Sequence, residues 1–295
     1  MLDCHCGARA PAFVLGANTP IRFRLASVLA NIVGCCLSVS WRPGMSLLTE
    51  NATVGSSSRI AGRGGLVDRY FYFVMSLFIA FVTIYGFSQT IPTRLIHPAI
   101  TRPFLLWIHG AAFSAWLALF IVQSALIRTR NVRLHRSLGW FGAGLAVVMV
   151  PLGFAIALIM GRFHIHQLHD PAAAAEASLI ASFYDMLAFA ILFGLAFSWR
   201  RKPERHRRLI FMATCGLTAA AFTRFPIQAI QQDLTYVCVD ALIVLGVLRD
   251  LVVGRRVHKV YLYSLPILAT AQSLMMYVLQ NGVPWWMRIA HALLA

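Results

Sequence analysis

Residues 104–127 read FLLWIHGAAFSAWLALFIVQSALI, and this stretch decides the fold. It holds twenty-four residues without Asp, Glu, Lys or Arg. At 1.5 Å per residue, a helix of this length crosses a hydrocarbon core of about 30 Å. Its two strongly polar side chains, His109 and Gln123, share one helical face with three aromatic residues, because all five are spaced by three or four positions. The stretch therefore predicts a membrane-spanning helix with a polar group inside the bilayer.

The composition of the whole chain agrees with this interpretation. Hydrophobic residues make up 59% and charged residues 12% of the 295 positions, and the mean hydropathy is +0.71. Soluble domains carry about 25% charged residues. The net charge of +16 does not indicate nucleic-acid binding, because the Lys and Arg residues lie in short segments between apolar stretches. The predicted partners are the lipid bilayer and its anionic head groups, and the oligomeric state stays open.

Seven apolar stretches predict an all-α, polytopic transmembrane bundle over residues 67–295, built from a lead helix and three hairpins. The predicted spans are 69–89, 104–127, 138–160, 178–198, 209–229, 233–253 and 260–280. Beyond them, Trp285 and Trp286 open a short tail that predicts an interfacial helix at the C-terminus.

Residues 1–66 differ in character and are treated as an N-terminal extension. Within it, the apolar segment 21–41 follows two arginines and is short for a span, so it predicts a signal-like segment or an interfacial helix. A polar, Gly- and Ser-rich stretch follows Met45 and predicts disorder. Translation from Met1 and from Met45 are both left open. The pair Cys4 and Cys6 around His5 offers too few ligands to predict a metal site.

The distribution of basic residues predicts the orientation of the bundle. Segments 128–137, 199–208 and 249–259 hold four, six and four Lys or Arg residues, whereas the rest of residues 90–295 holds five. Cytoplasmic loops are the ones enriched in Lys and Arg. We therefore expect a bacterial inner (plasma) membrane protein with a cytoplasmic N-terminus and a periplasmic or extracellular C-terminus.

Each of the three basic segments contains a histidine followed by a cation, just before the next predicted span. The pairs are His135 and Arg136, His206 and Arg207, and His258 and Lys259. One interpretation is that they anchor the chain at lipid head groups. The other is a shared site for an anion such as a phosphate, a lipid head group or a cofactor carboxylate.

Two short motifs carry a resemblance to a known family. His-Gly-x-x-Phe-x-x-Trp begins at His109 and is followed by Gln123, and Leu-His-Arg-x-Leu-Gly occupies 134–139. With these motifs the chain resembles a family of uncharacterised bacterial multi-pass inner-membrane proteins with about seven spans, over residues 67–280. The resemblance implies the topology and the membrane, and it implies no specific activity.

Four ionisable residues are predicted to lie at one depth in the outer third of the bilayer. They are His109, Asp185, Arg224 and Asp240, counted at 1.5 Å per residue from the outer ends of their spans. Charged groups at this depth are costly unless they are paired or hydrated, so we expect Arg224 to pair with Asp185 or Asp240. The cluster is interpreted either as a structural ion bridge or as a site in a cavity open to the outside.

A metal site and a haem ligand are further candidates. His164, His166, His169 and Asp170 follow the third span, and imidazole with carboxylate suits zinc, copper or iron. The alternative is that these loop residues are only solvated. His109 would serve as an axial haem ligand together with a histidine of this loop.

Three functional hypotheses follow from these residues, and whether the chain is an enzyme is left open. The first is a redox, metal-handling or haem-handling membrane protein with its site in the outer leaflet. The second is a small-solute or proton-coupled transporter that uses Asp185, Asp240 and Arg224. The third is a membrane sensor or assembly factor that acts through lipid or protein contacts.

Overall fold

The computed structural model describes residues 57–295, with side chains from residue 65 onward. The predicted segment 21–41, Met45 and the Cys4–Cys6 pair lie outside the described residues. Within residues 57–295 all regular structure is helical, in agreement with the predicted all-α class.

Nine α-helices follow one another along this part of the chain. They are α1 (Ser57–Ser88), α2 (Leu105–Arg128), α3 (Val132–His166), α4 (Ala172–Ser198), α5 (Pro203–Leu217), α6 (Ala219–Phe222), α7 (Thr235–Gly254), α8 (Lys259–Asn281) and α9 (Pro284–Leu294). Two π-helical turns, Pro92–Ile96 and Ile230–Leu234, lie between α1 and α2 and before α7.

Five of these helices contain segments long and apolar enough to cross a membrane. The segments are Gly65–Ser88, Leu105–Arg128, Val132–His166, Ala172–Ser198 and Lys259–Asn281. Large apolar side chains on them point outward, among them Phe81, Val147 and Ile267, which are 63%, 70% and 67% exposed. Such a surface is unfavourable in water and favourable against lipid tails. These helices indicate an integral, multi-pass membrane protein.

The segment predicted as a span over 209–229 is not one continuous helix, and it is not among the five segments that are long and apolar enough to cross a membrane. Helix α5 ends at Leu217 and the single turn α6 ends at Phe222. The amide and the hydroxyl of Thr218 both donate to the Cys215 carbonyl, at 3.0 and 2.6 Å, and the Arg224 and Phe225 amides also donate to carbonyls three residues back. This tighter pattern ends the α-helix, and Pro226 cannot continue it.

Helix α7 matches the predicted segment 233–253, but it differs from the five apolar helices in composition. It carries Asp240, Arg249 and Asp250, and it does not count among the candidate spans. Together α5 and α7 supply much of the buried core. Phe211 and Met212 of α5 are 0% exposed, and Ile243 of α7 is 1% exposed.

Three turns and the start of α1 lie at one end of the bundle, which we call the basic end. The guanidinium of Arg128 lies 4.7 Å from the Tyr70 ring, and that of Arg200 lies 5.7 Å from the Trp140 ring. An ion pair between Arg208 and Asp250 joins α5 to α7 at the same end. The basic segments found in the sequence therefore meet in space.

The C-terminal helix α9 forms where the sequence predicts a short helix. Its residues Trp286, Ala290 and Leu294 are spaced by four, and all are buried. The Trp286 indole nitrogen donates to the Glu176 carbonyl oxygen at 3.1 Å, and His291 contacts the Glu176 carboxylate at 2.8 Å. These contacts fix α9 against the start of α4.

Candidate functional site

Five polar side chains from α4, α7 and α8 meet inside the bundle. We call this group the polar pocket; its members are Tyr184, Asp185, Tyr236, Asp240 and Gln272. The Tyr236 hydroxyl donates to the Asp185 carboxylate at 2.9 Å, and the Gln272 amide donates to the Asp240 carboxylate at 3.1 Å. Tyr184 packs edge-on against Tyr236, with ring centroids 5.7 Å apart. The three helices are thus joined through two carboxylates, each with a neutral hydrogen-bond donor.

A small cavity of about 20 Å³ opens beside Asp185. Asp185, Tyr236 and Gln272 line it on one side, and Gly216 of α5 lines it directly before that helix ends. This volume is enough for about one water molecule. None of the described residues that line the cavity is basic. The cavity therefore offers oxygen acceptors to a small, hydrogen-bond-donating guest.

The structure brings Asp185 and Asp240 to the same pocket but gives Arg224 other contacts. The Arg224 guanidinium lies 4.5 Å from the Phe87 ring and donates to the Ala220 carbonyl of its own segment. In the described part of the chain it forms no ion pair with a carboxylate, so the predicted pair with Asp185 or Asp240 is not found. Arg224 has these other contacts because α6 ends at Phe222, so Arg224 does not lie on the continuation of that helix.

His109 packs on its own helix. Its ring lies 4.1 Å from the Phe113 ring, and its buried Nδ1 atom has no hydrogen-bond partner among the described residues. Among the described residues, no hydrogen bond or ion pair joins His109 to the polar pocket.

The four residues predicted to bind a metal do not converge. His164 Nδ1 lies 2.7 Å from Asp170 Oδ2, and the Asp170 amide donates to the His164 carbonyl at 3.0 Å. This turn joins His164 to Asp170 and does not include His166 or His169. Across residues 57–295, no group of three or more His, Cys, Asp or Glu side chains is arranged to hold a metal ion.

A charged cluster that the sequence analysis did not identify lies at the basic end. We call it the basic-end network; its members are Asp68, Glu204, Arg207, Arg208, Arg249 and Asp250. Arg208 binds Asp250 through two parallel hydrogen bonds of 2.8 and 2.7 Å. Arg249 binds the same carboxylate at 2.7 Å. These three side chains are buried, and the two arginines neutralise a carboxylate that is 2% exposed.

Two more carboxylates complete the basic-end network. Glu204 lies 2.7 Å from both Arg207 and Arg208. Asp68 of α1 contacts Arg249 and lies 3.5 Å from Arg207. Burial favours the neutral form of Glu204, but the hydrogen bond from Arg208 and the charge of Arg207 outweigh it and hold the pKa of that carboxyl below its usual range. Three acids and three bases thus balance in charge and join α1, α5 and α7.

Of the six residues predicted to form an inner-face anion site, Arg207 belongs to this network, and His258 contacts it because its amide donates to Asp250 at 3.3 Å. His206 Nδ1 lies 2.9 Å from the Ala196 carbonyl, and burial lowers the pKa of His206 despite this hydrogen bond. The His258 ring accepts from the Val260 amide at 3.1 Å and caps α8. The His135 carbonyl accepts from Gln123 at 3.2 Å. The remaining two are Arg136 and Lys259, both exposed. The three histidines have different contacts, and the anion site stays a prediction.

One sequence signal did point to the basic-end network. The chain has ten acidic residues; Glu204 and Asp250 lie within the basic segments 199–208 and 249–259, and Asp68 directly precedes Arg69. Acidic residues in otherwise basic segments indicate local ion pairs rather than contacts with lipid head groups.

No family model, no curated protein and no solved structure matches the chain.

Proposed function

We propose that the chain is a proton-coupled transporter of a small solute, with Asp185 and Asp240 as the groups that carry the proton. The observation that supports this most is the polar pocket itself. Two carboxylates inside a bundle of membrane helices lie near a cavity and have neutral donors as partners. A carboxylate in this environment is neutralised by a proton or by a cationic guest.

The broken helix beside the pocket supports the same function. Helix α5 stops one residue after Gly216, which lines the cavity. Interrupted helices inside membrane proteins occur where backbone groups face a cavity or a bound solute, and transporters use them at their binding sites. The break and the two carboxylates lie together, which favours transport over a purely structural role.

The topology that accompanies this function has seven crossings, with α5–α6 and α7 as the two central ones. We propose a bacterial inner membrane, with the basic end in the cytoplasm next to anionic lipid head groups and the C-terminus on the opposite side. Membership of the seven-span family that the His109 and Leu134–Gly139 motifs resemble belongs to the same proposal.

The other two hypotheses have less support among the described residues. A metal or haem function relied on the histidine loop, whose ligands do not converge. A sensor or assembly function relied on the basic segments as contacts for partners. Arg207, Arg208 and Arg249 of these segments are bound within the chain instead.

Proteoliposomes that enclose a pH-sensitive dye test the transport function. Amino acids, sugars, organic acids and amines are added outside, one class at a time, and the internal pH is followed against protein-free vesicles. We expect one class to move protons through the wild type and not through Asp185→Asn or Asp240→Asn. Asp233→Asn, which changes an exposed carboxylate in the π-helical turn before α7, is the matched control and should behave as the wild type.

Two results would overturn the proposed function. One is a wild-type protein that moves no more protons than empty vesicles with every class of solute. The other is proton movement that persists unchanged in both pocket variants.

A further inference from the structure

An open apolar cleft runs along the outside of the bundle next to the polar pocket. Its volume is about 460 Å³, within the range of about 300–1,000 Å³ that is typical of ligand sites. Side chains from α3, α4, α8 and the start of α9 line it, among them Phe154, Leu187, Leu274 and Trp285. Because α3, α4 and α8 are candidate membrane spans, the open side of the cleft faces lipid tails.

Tyr184 is the boundary between this cleft and the cavity of the polar pocket, because it lines both. Its hydroxyl lies 3.5 Å from the Leu268 carbonyl oxygen, at the outer limit of a hydrogen bond. The Tyr184 ring also packs edge-on against Tyr236, so a rotation of Tyr184 would break this aromatic contact as well. A rotation of Tyr184 would connect the apolar cleft, which is large enough for an alkyl chain, to the Asp185 carboxylate.

The cavity beyond Tyr184 has room for one small group, and its chemistry selects a cation. Asp185 supplies a carboxylate, and the Gln272 side chain, whose amide nitrogen donates to Asp240, also lines the cavity. No basic side chain is present among the described lining residues. A primary ammonium group is close to a water molecule in size and donates three hydrogen bonds. It therefore fits the cavity in both volume and charge.

We propose that the polar pocket and the apolar cleft together bind a single-chain amphiphile with a primary ammonium head, which enters from the bilayer past Tyr184. The chain occupies the cleft, and the ammonium group donates to Asp185. This inference rests on the proposed function and names the class of its solute. An ammonium group and a proton compete for the same carboxylate, which would couple the exit of one to the entry of the other.

Fluorescence quenching in phosphatidylcholine vesicles tests the inference, because these vesicles contain no primary amine. Dodecylamine with a bromine at the chain end is titrated into the wild type and into Trp285→Phe. The chain has seven tryptophans, so the quenching that this variant loses, and not the total quenching, reports a chain in the cleft. The dodecanol and dodecanoate with the same bromine are the matched neutral and anionic probes. A charge-assisted hydrogen bond is worth roughly 1.5–3 kcal/mol, so we expect the amine to bind about tenfold or more tightly than the alcohol.

Variants separate the two parts of the site. Asp185→Asn should abolish the preference for the amine, and Asp185→Glu should keep it, which controls for folding. Leu274→Phe should narrow the cleft without adding a tryptophan and weaken all three probes alike. Trp285→Phe gives the quenching of the other six tryptophans, which is subtracted, and Asp233→Asn should change nothing.

Equal binding of amine and alcohol by the wild type, or an amine preference that survives in Asp185→Asn, would overturn the inference. Its failure is distinct from that of the proposed function. Proton movement with another class of solute and no amine preference rejects the inference alone, whereas an amine preference without proton movement rejects transport.

Discussion

At the scale of single residues, Arg208 links the carboxylates of the basic end. It is 5% exposed and binds Asp250 through two hydrogen bonds and Glu204 through a third. Replacing it by Met leaves the buried Asp250 carboxylate with Arg249 as its remaining cation. Removing one partner of a buried ion pair costs about 3–5 kcal/mol, so we expect Arg208→Met to lower the free energy of unfolding by about that amount. Unfolding in mixed dodecyl maltoside and SDS micelles measures it.

Arg201→Met is the matched control, because Arg201 is exposed and lies in the same basic segment. Its effect should stay within about 0.5 kcal/mol, as for other surface substitutions. The double variant Arg208→Met, Asp250→Leu should recover part of the loss, because it removes the unpaired charge as well. Equal costs for Arg208→Met and Arg201→Met would show that the network does not stabilise the bundle.

The sequence predicted some of these residues well and others poorly, for a physical reason. The cost of a charge inside the bilayer drew attention to Asp185 and Asp240, and both lie in the polar pocket. The same cost predicted an ion pair between one of these carboxylates and Arg224. The two carboxylates instead accept hydrogen bonds from Tyr236 and Gln272. In the basic-end network, ion pairs join residues 42, 139 and 181 positions apart. Such pairs depend on which helices are neighbours, and hydropathy does not contain that information.

At the scale of elements, the contact between α1 and α6 depends on a glycine. A Cβ atom on Gly86 would lie about 2.4 Å from the Ala221 carbonyl oxygen, and every nearby atom is backbone. The backbone of α6 would have to move, because no flexible side chain can give way. We expect Gly86→Ala to destabilise the protein by about 1–3 kcal/mol, as overpacking does. The same micelle unfolding experiment measures this change.

Gly144→Ala on α3 is the control for Gly86→Ala, because a Cβ atom there would meet nothing within 4 Å. Alanine favours helix over glycine by about 1 kcal/mol, so this control should be neutral or stabilising. A Gly86→Ala variant as stable as Gly144→Ala would mean that α6 does not pack as described.

The break between α5 and α6 shows why helix ends were harder to predict than helix existence. Six of the seven predicted spans correspond to continuous helices, because apolar length is a direct property of the sequence. In the fifth, Pro226 indicated a kink, yet the helix ends earlier, at Leu217. The hydroxyl of Thr218 binds the Cys215 carbonyl there, and Thr can do so in an intact helix too. Whether the helix ends at Thr218 or continues depends on the packing of α6 against α1.

At the scale of the whole molecule, hydropathy identifies five helices as candidate spans and passes over α7. Helix α7 exposes large apolar side chains such as Leu248 and Val252, as the candidate spans do, but it also has Arg249 and Asp250 buried against other helices. The buried side of a helix does not need to be apolar along its whole length, because its charges find partners inside. The polar pocket and the basic-end network both lie on α7, so the residues that weaken its hydropathy are those that carry the proposed function and the packing.

The seven-crossing topology can be tested at a single position. Helix α7 has 20 residues, and at 1.5 Å per residue it is about 30 Å long, as long as a hydrocarbon core is thick. Gln228 lies exposed between α6 and α7. If α5–α6 and α7 both cross, Gln228 is on the side opposite the basic end. If neither crosses, Gln228 is on the same side as the basic end.

Single cysteines in a cysteine-free chain decide between these topologies by labelling intact cells with a membrane-impermeant thiol reagent. Thr129→Cys and Asn281→Cys mark the two sides, because α2, α3, α4 and α8 place them on opposite sides in either topology. With the basic end in the cytoplasm, Asn281→Cys should react and Thr129→Cys should react only after the cells are opened. We expect Gln228→Cys to react like Asn281→Cys. Reaction like that of Thr129→Cys would leave Tyr236 and Asp240 of the polar pocket on a helix that does not cross, which would contradict the proposed path for a solute through the bundle.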